Sequence, residues 1–264
     1  MSSLFAFVDT QTQDFTNICL QNGFIIFSVV SCIALQFIPA HYGKFYDSKK
    51  NLPAVSNRLG WFVEETPNVI ITLYYGYYFW KESTNVNLIQ YFMISFFFVH
   101  YIHRSFIYPF KLANTKKLPL DVMVIGCSFC LANAFMQNRS IFLFSKYSLE
   151  EINLAILALG IILFFTGMFI NIYHDYLMIS LKKGSSSYVL PTGGLFDYIA
   201  SPNYFGEIVE WIGFALIVNT YSAWIFAFST ISNLAPRALQ TRLWYKTKFE
   251  NYPKERKAII PYII

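Results

Sequence analysis

The sequence predicts an all-α integral membrane protein, a single domain over residues 1–264 built as a bundle of about seven transmembrane helices, N-terminus lumenal and C-terminus cytoplasmic. Three observations carry this. The 264 residues are 55% hydrophobic, 20% aromatic and only 13% charged, too few charges to cover a soluble globule and too much apolar sequence for one buried core. Long apolar runs recur at about residues 16–40, 67–80, 88–108, 119–137, 151–173, 204–219 and 221–236, the second, sixth and seventh being short. The basic residues fall almost entirely on one side of that arrangement.

Taken in order, the first run follows MSSLFAFVDTQTQDF, which holds two acids and no Lys or Arg. It lacks the basic start of a cleaved leader and reads as a retained span. The second opens after WFVEETP, where Glu64, Glu65 and Thr66 precede Pro67; a helix N-terminus favours acids, so capping competes for at least one glutamate. In the third, FFFVHYIHRSFIYPF puts Tyr101, Arg104 and Tyr108 on one stripe, with His100 and His103 on neighbouring faces. Arg104 would repel a cation, and no metal site is expected.

The fourth run carries Cys127 and Cys130, read with Cys19 and Cys32 as packing residues, and ends at the sequon Asn138-Arg139-Ser140. The sequon hugs a membrane edge, which argues against its use. From the fifth run Asn171, Asp175, Met178 and Lys182 lead out at offsets of four, three and four. Gly193-Gly194 then suggests a tight approach loop to the sixth run, with Ser201 as N-cap and Pro202 at the helix start. The seventh run passes into a basic, aromatic tail suited to anchoring on anionic lipid.

Orientation follows from charge. With seven spans and an outside N-terminus, the cytoplasmic segments hold Lys44, Lys49, Lys50, Arg58, Arg104, Lys111, Lys116, Lys117, Lys182, Lys183, Arg237, Arg242, Lys246, Lys248, Lys254, Arg256 and Lys257. Only Lys81, Arg139 and Lys146 remain on the other side, 17 against 3 of the 20 basic residues, which satisfies the positive-inside rule. Membrane lipids are the expected partners; nucleic acid is not, and no obligatory protein partner is indicated.

Offsets of three and four place Asn203, Glu207, Glu210 and Trp211 on one stripe of the sixth run, Glu210 and Trp211 lying three and four residues beyond Glu207. An acid near the middle of a bilayer costs about 2.5–3.5 kcal/mol, so the two glutamates must face protein, ligand or water. Interhelical hydrogen bonding is the plain alternative, and the one that suits Glu210. The chain has no P-loop and no dinucleotide glycine pattern. Spacing alone therefore yields a membrane protein with a buried polar site and no named reaction.

Over residues 55–264 the sequence resembles the steroid 5α-reductase family. GGLFDYIASPNYFGEIVEWIGFAL is similar to its C-terminal signature, and WFVEETP, VHYIHRSFIYP, GMFINIYHDY, PRA and WYKTKFENYPKERKAIIP match further blocks in order. The resemblance implies a multi-pass endoplasmic-reticulum enzyme that uses NADPH to reduce the C4–C5 double bond of a 3-oxo-Δ4 steroid arriving through the bilayer, with hydride delivered to C5. It places the catalytic pair on Glu65 and Tyr101, facing the 3-keto oxygen. It places cofactor contacts on Arg104, Asn171, Asp175, Lys182, Tyr188, Asn203, Glu207, Arg237 and Tyr245, so that about residues 165–264 carry most of the cofactor site. Trp61 and Trp211 would wall the substrate pocket.

Two departures stand out: Val189 where many members have a basic residue, and Thr241-Arg242-Leu243 where a histidine is common. Arg242 and Lys183 are the candidates to compensate. The alternatives are the related trans-2-enoyl-CoA reductase of very-long-chain fatty-acid elongation and a non-catalytic sterol-binding membrane protein. WFVEETP and NYFGEIVEW fit the steroid branch better.

Overall fold

A computed structural model describes residues 14–46, 52–82, 86–112, 117–182 and 188–264; Lys49, Lys50, Lys116 and Lys183, counted above, and the residues before Asp14 lie outside these. Long helices follow the apolar runs: α1 (Phe15–Phe37), α2 (Asn57–Glu82), α3 (Leu88–Ile102), α5 (Leu120–Phe142), α6 (Leu154–Lys182), α7 (Pro202–Val218) and α8 (Tyr221–Lys248). A π-helical turn, His103–Ile107, joins α3 to the short α4 (Tyr108–Lys111). Among the described residues α1, α5 and α6 are long and apolar enough to cross a membrane. Their outward faces, with Ile26, Val30 and Ile33 on α1 and Ile162, Phe165 and Phe169 on α6, are exposed and apolar. Such faces suit hydrocarbon rather than water.

Helix ends are set by local chemistry. Asp14 caps α1 by accepting from the Asn17 amide at 2.9 Å. Its second oxygen pairs with Arg139 of α5. The Asn17 amide and that guanidinium hold the Asp14 carboxyl below the ordinary carboxylate range. At α3, Asn87 and Gln90 form a reciprocal capping box. Ser201 does stand at the N-cap of α7 with Pro202 behind it, yet its hydroxyl makes no capping bond.

The second run differs from expectation. Instead of opening at Pro67, α2 begins ten residues earlier and carries Pro67 inside it. Proline removes one ladder bond, and the preceding Thr66 hydroxyl turns back onto the Phe62 carbonyl. The helix start is fixed elsewhere, by Ser56, whose hydroxyl accepts from the Leu59 amide at 3.2 Å, and by strand β1 (Ala54–Ser56) paired antiparallel with β2 (Lys117–Pro119). Capping is therefore excluded as the role of Glu64 and Glu65, which project from the interior of α2. The seventh run likewise extends through Pro236 as far as Lys248.

Packing of α6 on α7 positions the polar stripes. Gly160 and Gly167 face Gly213 and Gly206, so close that a Cβ on Gly206 would lie 2.5 Å from the Asn171 amide nitrogen and 2.7 Å from the Gly167 carbonyl. Small residues let membrane helices touch backbone to backbone where the hydrophobic effect offers no drive. Elsewhere buried polar pairs join helices: Gln21 to Ser222 at 3.0 Å and Ser28 to Ser229 at 2.6 Å between α1 and α8, and Asn138 to Thr72 at 3.0 Å between α5 and α2. Asn138 is fully buried and its amide also bonds the Ala134 carbonyl, so the sequon offers no acceptor for a glycan.

Candidate active site

Two groups of polar residues meet inside the bundle. The first lies on the α6–α7 seam that the glycines close. Asn171 donates to the Asn203 carbonyl at 3.0 Å and to Glu207 Oε2 at 3.3 Å; Asn203 donates to Asp175 Oδ1 at 2.9 Å. Arg104 Nη1 completes the network on Asp175 Oδ2 at 3.1 Å, with both side chains buried. The guanidinium sits against the rings of Tyr108 (4.5 Å) and Trp61 (5.0 Å). A cation taken from water is held here by one carboxylate and two π faces. The π-helical turn aims Arg104 at this seam, since its extra residue shifts the following side chains around the helix.

Beyond this network lie the remaining residues that the resemblance assigns to a cofactor. Arg237 donates to Asn233 at 2.9 Å and to the Tyr204 hydroxyl at 3.0 Å, and lies over Tyr42 and Tyr204. All of these partners are neutral. Lys182 lies 5.3 Å over Tyr188, Tyr188 meets Trp244 edge-on at 5.0 Å, and Tyr245 is buried against Tyr252 with Lys44 over its face at 5.0 Å. Gly193 and Gly194, at φ +90° and +57°, form the tight loop expected ahead of α7, locked where the Leu195 amide donates to His174 Nε2 at 2.9 Å.

Arg242, a candidate to replace the family's histidine, is committed elsewhere: its Nε donates to the Arg256 carbonyl at 2.7 Å, and Arg256 in turn donates to Pro191 at 2.9 Å. Burial lowers the Arg256 guanidinium from its ordinary range and raises the Tyr252 phenol above its own. Arg242 thus fastens the C-terminal segment to α8. Lys183 lies outside the described residues. An open cleft of about 550 Å³ runs between Tyr188–Leu190 and Lys248–Asn251, past Val189.

The second group lies on α2, α3 and α5. Glu65 and Tyr101 are both buried and are not hydrogen-bonded to each other; each instead meets one face of α5. Cys130 Sγ donates to Glu65 Oε2 at 3.6 Å, and three residues on, Asn133 Nδ2 approaches the Tyr101 oxygen at 3.5 Å. Gln137, four further on, donates to Asn133 Oδ1 at 3.2 Å and to the Ser222 carbonyl at 3.0 Å, which fixes the orientation of the Asn133 amide. Because Asn133 donates to the phenol oxygen, the phenolic hydrogen of Tyr101 remains available to an acceptor. Trp211 stands 5.8 Å from the Tyr101 ring in a wall with Phe97, Phe214 and Phe226.

Cys130, expected only to pack, and Asn133 and Gln137, for which the sequence carries no expectation, join Glu65 and Tyr101 in the structure. A signal existed, since three polar or sulfur side chains at helical spacing in an apolar run form a stripe of the same kind as that on α7. Glu64 reaches α5 as well, into the space that Gly126 leaves without a side chain. Glu210 pairs with His100 Nδ1 at 2.7 Å, an interhelical bond as expected, and His103 bonds Tyr176 at 2.8 Å.

Comparison with known proteins adds an independent finding. Residues 116–264 match a family profile described as 3-oxo-5-alpha-steroid 4-dehydrogenase. The chain is 36% identical over 250 residues to tomato (Solanum lycopersicum) steroid 5-alpha-reductase DET2, covering 91% of this chain and 96% of that one. It is 35% identical to rat (Rattus norvegicus) 3-oxo-5-alpha-steroid 4-dehydrogenase 1, covering 92% of each, and 38% identical to the human (Homo sapiens) protein of that name, covering 79% and 81%.

Proposed function

The chain belongs to the 3-oxo-5-alpha-steroid 4-dehydrogenase family, and from that premise we propose that it reduces the C4–C5 double bond of 3-oxo-Δ4 steroids with NADPH, as a seven-span enzyme of the endoplasmic-reticulum membrane. The observation that carries the reading is the convergence of Glu65 and Tyr101 on one face of α5, beside the aromatic wall of Trp211.

The donor set fits NADPH, which when bound supplies the hydride. Asn203 and Glu207 offer amide and carboxylate partners for a carboxamide, and Asn171 holds both in place. Among the cations, the charge of Arg104 is already matched by Asp175, whereas Arg237 has only neutral partners among the described residues and keeps its charge for a phosphate. Lys182, Tyr188 and Tyr245 border the same end and complete the site.

At the substrate, Tyr101 donates its phenolic hydrogen to the 3-keto oxygen, with Glu65 beside it on the same face of α5. Reduction at C5 would push negative charge onto that oxygen, and preorganised donors in a dry site would stabilise the enolate more than the ketone. A proton taken up at C4 from solvent would complete the saturation, so that one hydride and one proton add across the double bond. Trp61 and Trp211 bound the space in which the steroid rings lie, and the rings reach it from the bilayer.

The test is incubation of membranes containing the protein with NADPH and either a 3-oxo-Δ4 steroid or a trans-2-enoyl-CoA, read by mass spectrometry. Steroid gaining two hydrogens, with the gain lost in Glu65→Gln, supports the proposal. Turnover of the thioester alone overturns it, and no NADPH consumption with either substrate favours a sterol binder.

A further inference from the structure

The proposed reaction leaves one buried acid unused. Glu210 is fully buried on α7, Oε1 bonds His100 Nδ1 of α3 at 2.7 Å, and Oε2 has no hydrogen-bond partner among the described residues. Burying such a pair in apolar surroundings is costly, and a hydrophobic pair of equal volume is often as stable or more so. Stability alone is therefore a weak reason for its presence.

Its location supplies a better one. His100 precedes Tyr101 and Glu210 precedes Trp211. The His100 ring stands 4.5 Å from Trp211 and 5.0 Å, nearly perpendicular, from Tyr101. One turn back on α7 lies Glu207, bonded to Asn171. The bond therefore ties the helix that carries the ketone-activating phenol to the helix that carries the nicotinamide contacts, at the level of both. The imidazole itself fills the corner between the phenol and the indole.

We propose that Glu210 and His100 are positioning residues for the reduction: their interhelical bond sets the distance between Tyr101 on α3 and the Glu207–Trp211 face of α7, and so the alignment of hydride donor with activated enone. The proposal rests on the reductase reading given above. Each acts through its neighbour.

Misplacing reacting groups by about 1 Å costs on the order of a hundredfold in rate. Glu210→Leu, which keeps volume and loses the bond, is expected to lower kcat by roughly that factor, with KM for NADPH little changed. Chemistry then limits turnover, so the isotope effect with NADPH deuterated at the transferred position rises above that of the wild type. Glu210→Gln and His100→Asn, which can each keep one hydrogen bond between the helices, recover most of the loss. A residue that only stabilises the fold would instead lower the melting temperature and the amount of folded enzyme, leaving kcat per folded molecule and the isotope effect unmoved; that result overturns the proposal. Should Glu210→Leu fail to fold, Glu210→Gln compared with Glu210→Asp decides. A shortened acid that keeps wild-type kcat and isotope effect overturns the proposal, and loss in Asp with recovery in Gln supports it. Wild-type membranes that fail to reduce any steroid overturn the reductase reading itself, a result separable from either variant outcome.

Discussion

Gly167→Ala is the perturbation whose effect can be worked most directly from the backbone. The added Cβ would stand 2.5 Å from the Gly206 carbonyl oxygen and 2.7 Å from the Glu210 Cα, both main-chain atoms that cannot swing aside. Ordinary contact is about 3.5 Å, so α6 and α7 must part by roughly 1 Å. Overpacking of this kind costs about 1–3 kcal/mol. One turn along α6, Asn171 bridges to the Asn203 carbonyl at 3.0 Å and Glu207 at 3.3 Å. An extra ångström takes both beyond hydrogen-bond reach, at about 0.5–1.5 kcal/mol each. Since about 1.4 kcal/mol is tenfold in affinity, NADPH binding should weaken by roughly ten- to a hundredfold. The assay is NADPH fluorescence titration of the detergent-purified enzyme beside its thermal melt. Gly23→Ala on α1 is the control: nothing lies within 4 Å of its added Cβ, so NADPH affinity should stay at the wild-type value and the melting temperature should not fall. Wild-type affinity and melting temperature in Gly167→Ala would refute the view that this seam builds the cofactor site.

Asn133→Leu removes the contact to the Tyr101 oxygen and leaves Gln137 without its acceptor; steady-state kinetics should show kcat down by about tenfold with NADPH KM unchanged. Arg242→Ala should weaken NADPH binding only together with loosening of the C-terminal segment, read as new protease cleavage after Phe249, because its bond goes to the Arg256 carbonyl. Asn138 should migrate unglycosylated, with no mobility shift on glycosidase treatment of membranes that contain it. The Asp14 carboxyl is held below its unfolded value, so its contribution to stability is present at neutral pH and is lost as pH falls below about 4. Melting of Asp14→Asn should therefore differ from wild type at pH 7, and the difference should shrink progressively as pH falls below about 4.

Much of the helical order was legible because hydrocarbon imposes a simple rule: apolar runs of sufficient length become helices. The polar stripes were legible for a related reason, since Asn171, Asp175, Asn203 and Glu207 stand at helical offsets and cannot face lipid. Legibility failed where the answer depended on a partner far along the chain. Pro67 looked like a helix start because its own neighbourhood favours one, whereas the start is fixed at Ser56 and by strand pairing with residues 117–119. Glu210 was readable as an interhelical hydrogen-bonding group, yet its partner His100 lies 110 residues away and nothing local selects it. Cys130 gained meaning only when α5 was placed against α2, and the paired glycines only when α6 met α7.

The Glu65–Tyr101 face is proposed to activate a 3-oxo-Δ4 steroid for hydride delivery at C5. NADPH deuterated at the transferred position, incubated with the enzyme and such a steroid, tests it most directly. The expected product carries one deuterium per molecule, located at C5 by NMR, in the 5α-reduced ketone, with the reaction abolished in Glu65→Gln while that variant still binds NADPH. Deuterium at another carbon, or wild-type turnover in Glu65→Gln, would contradict it.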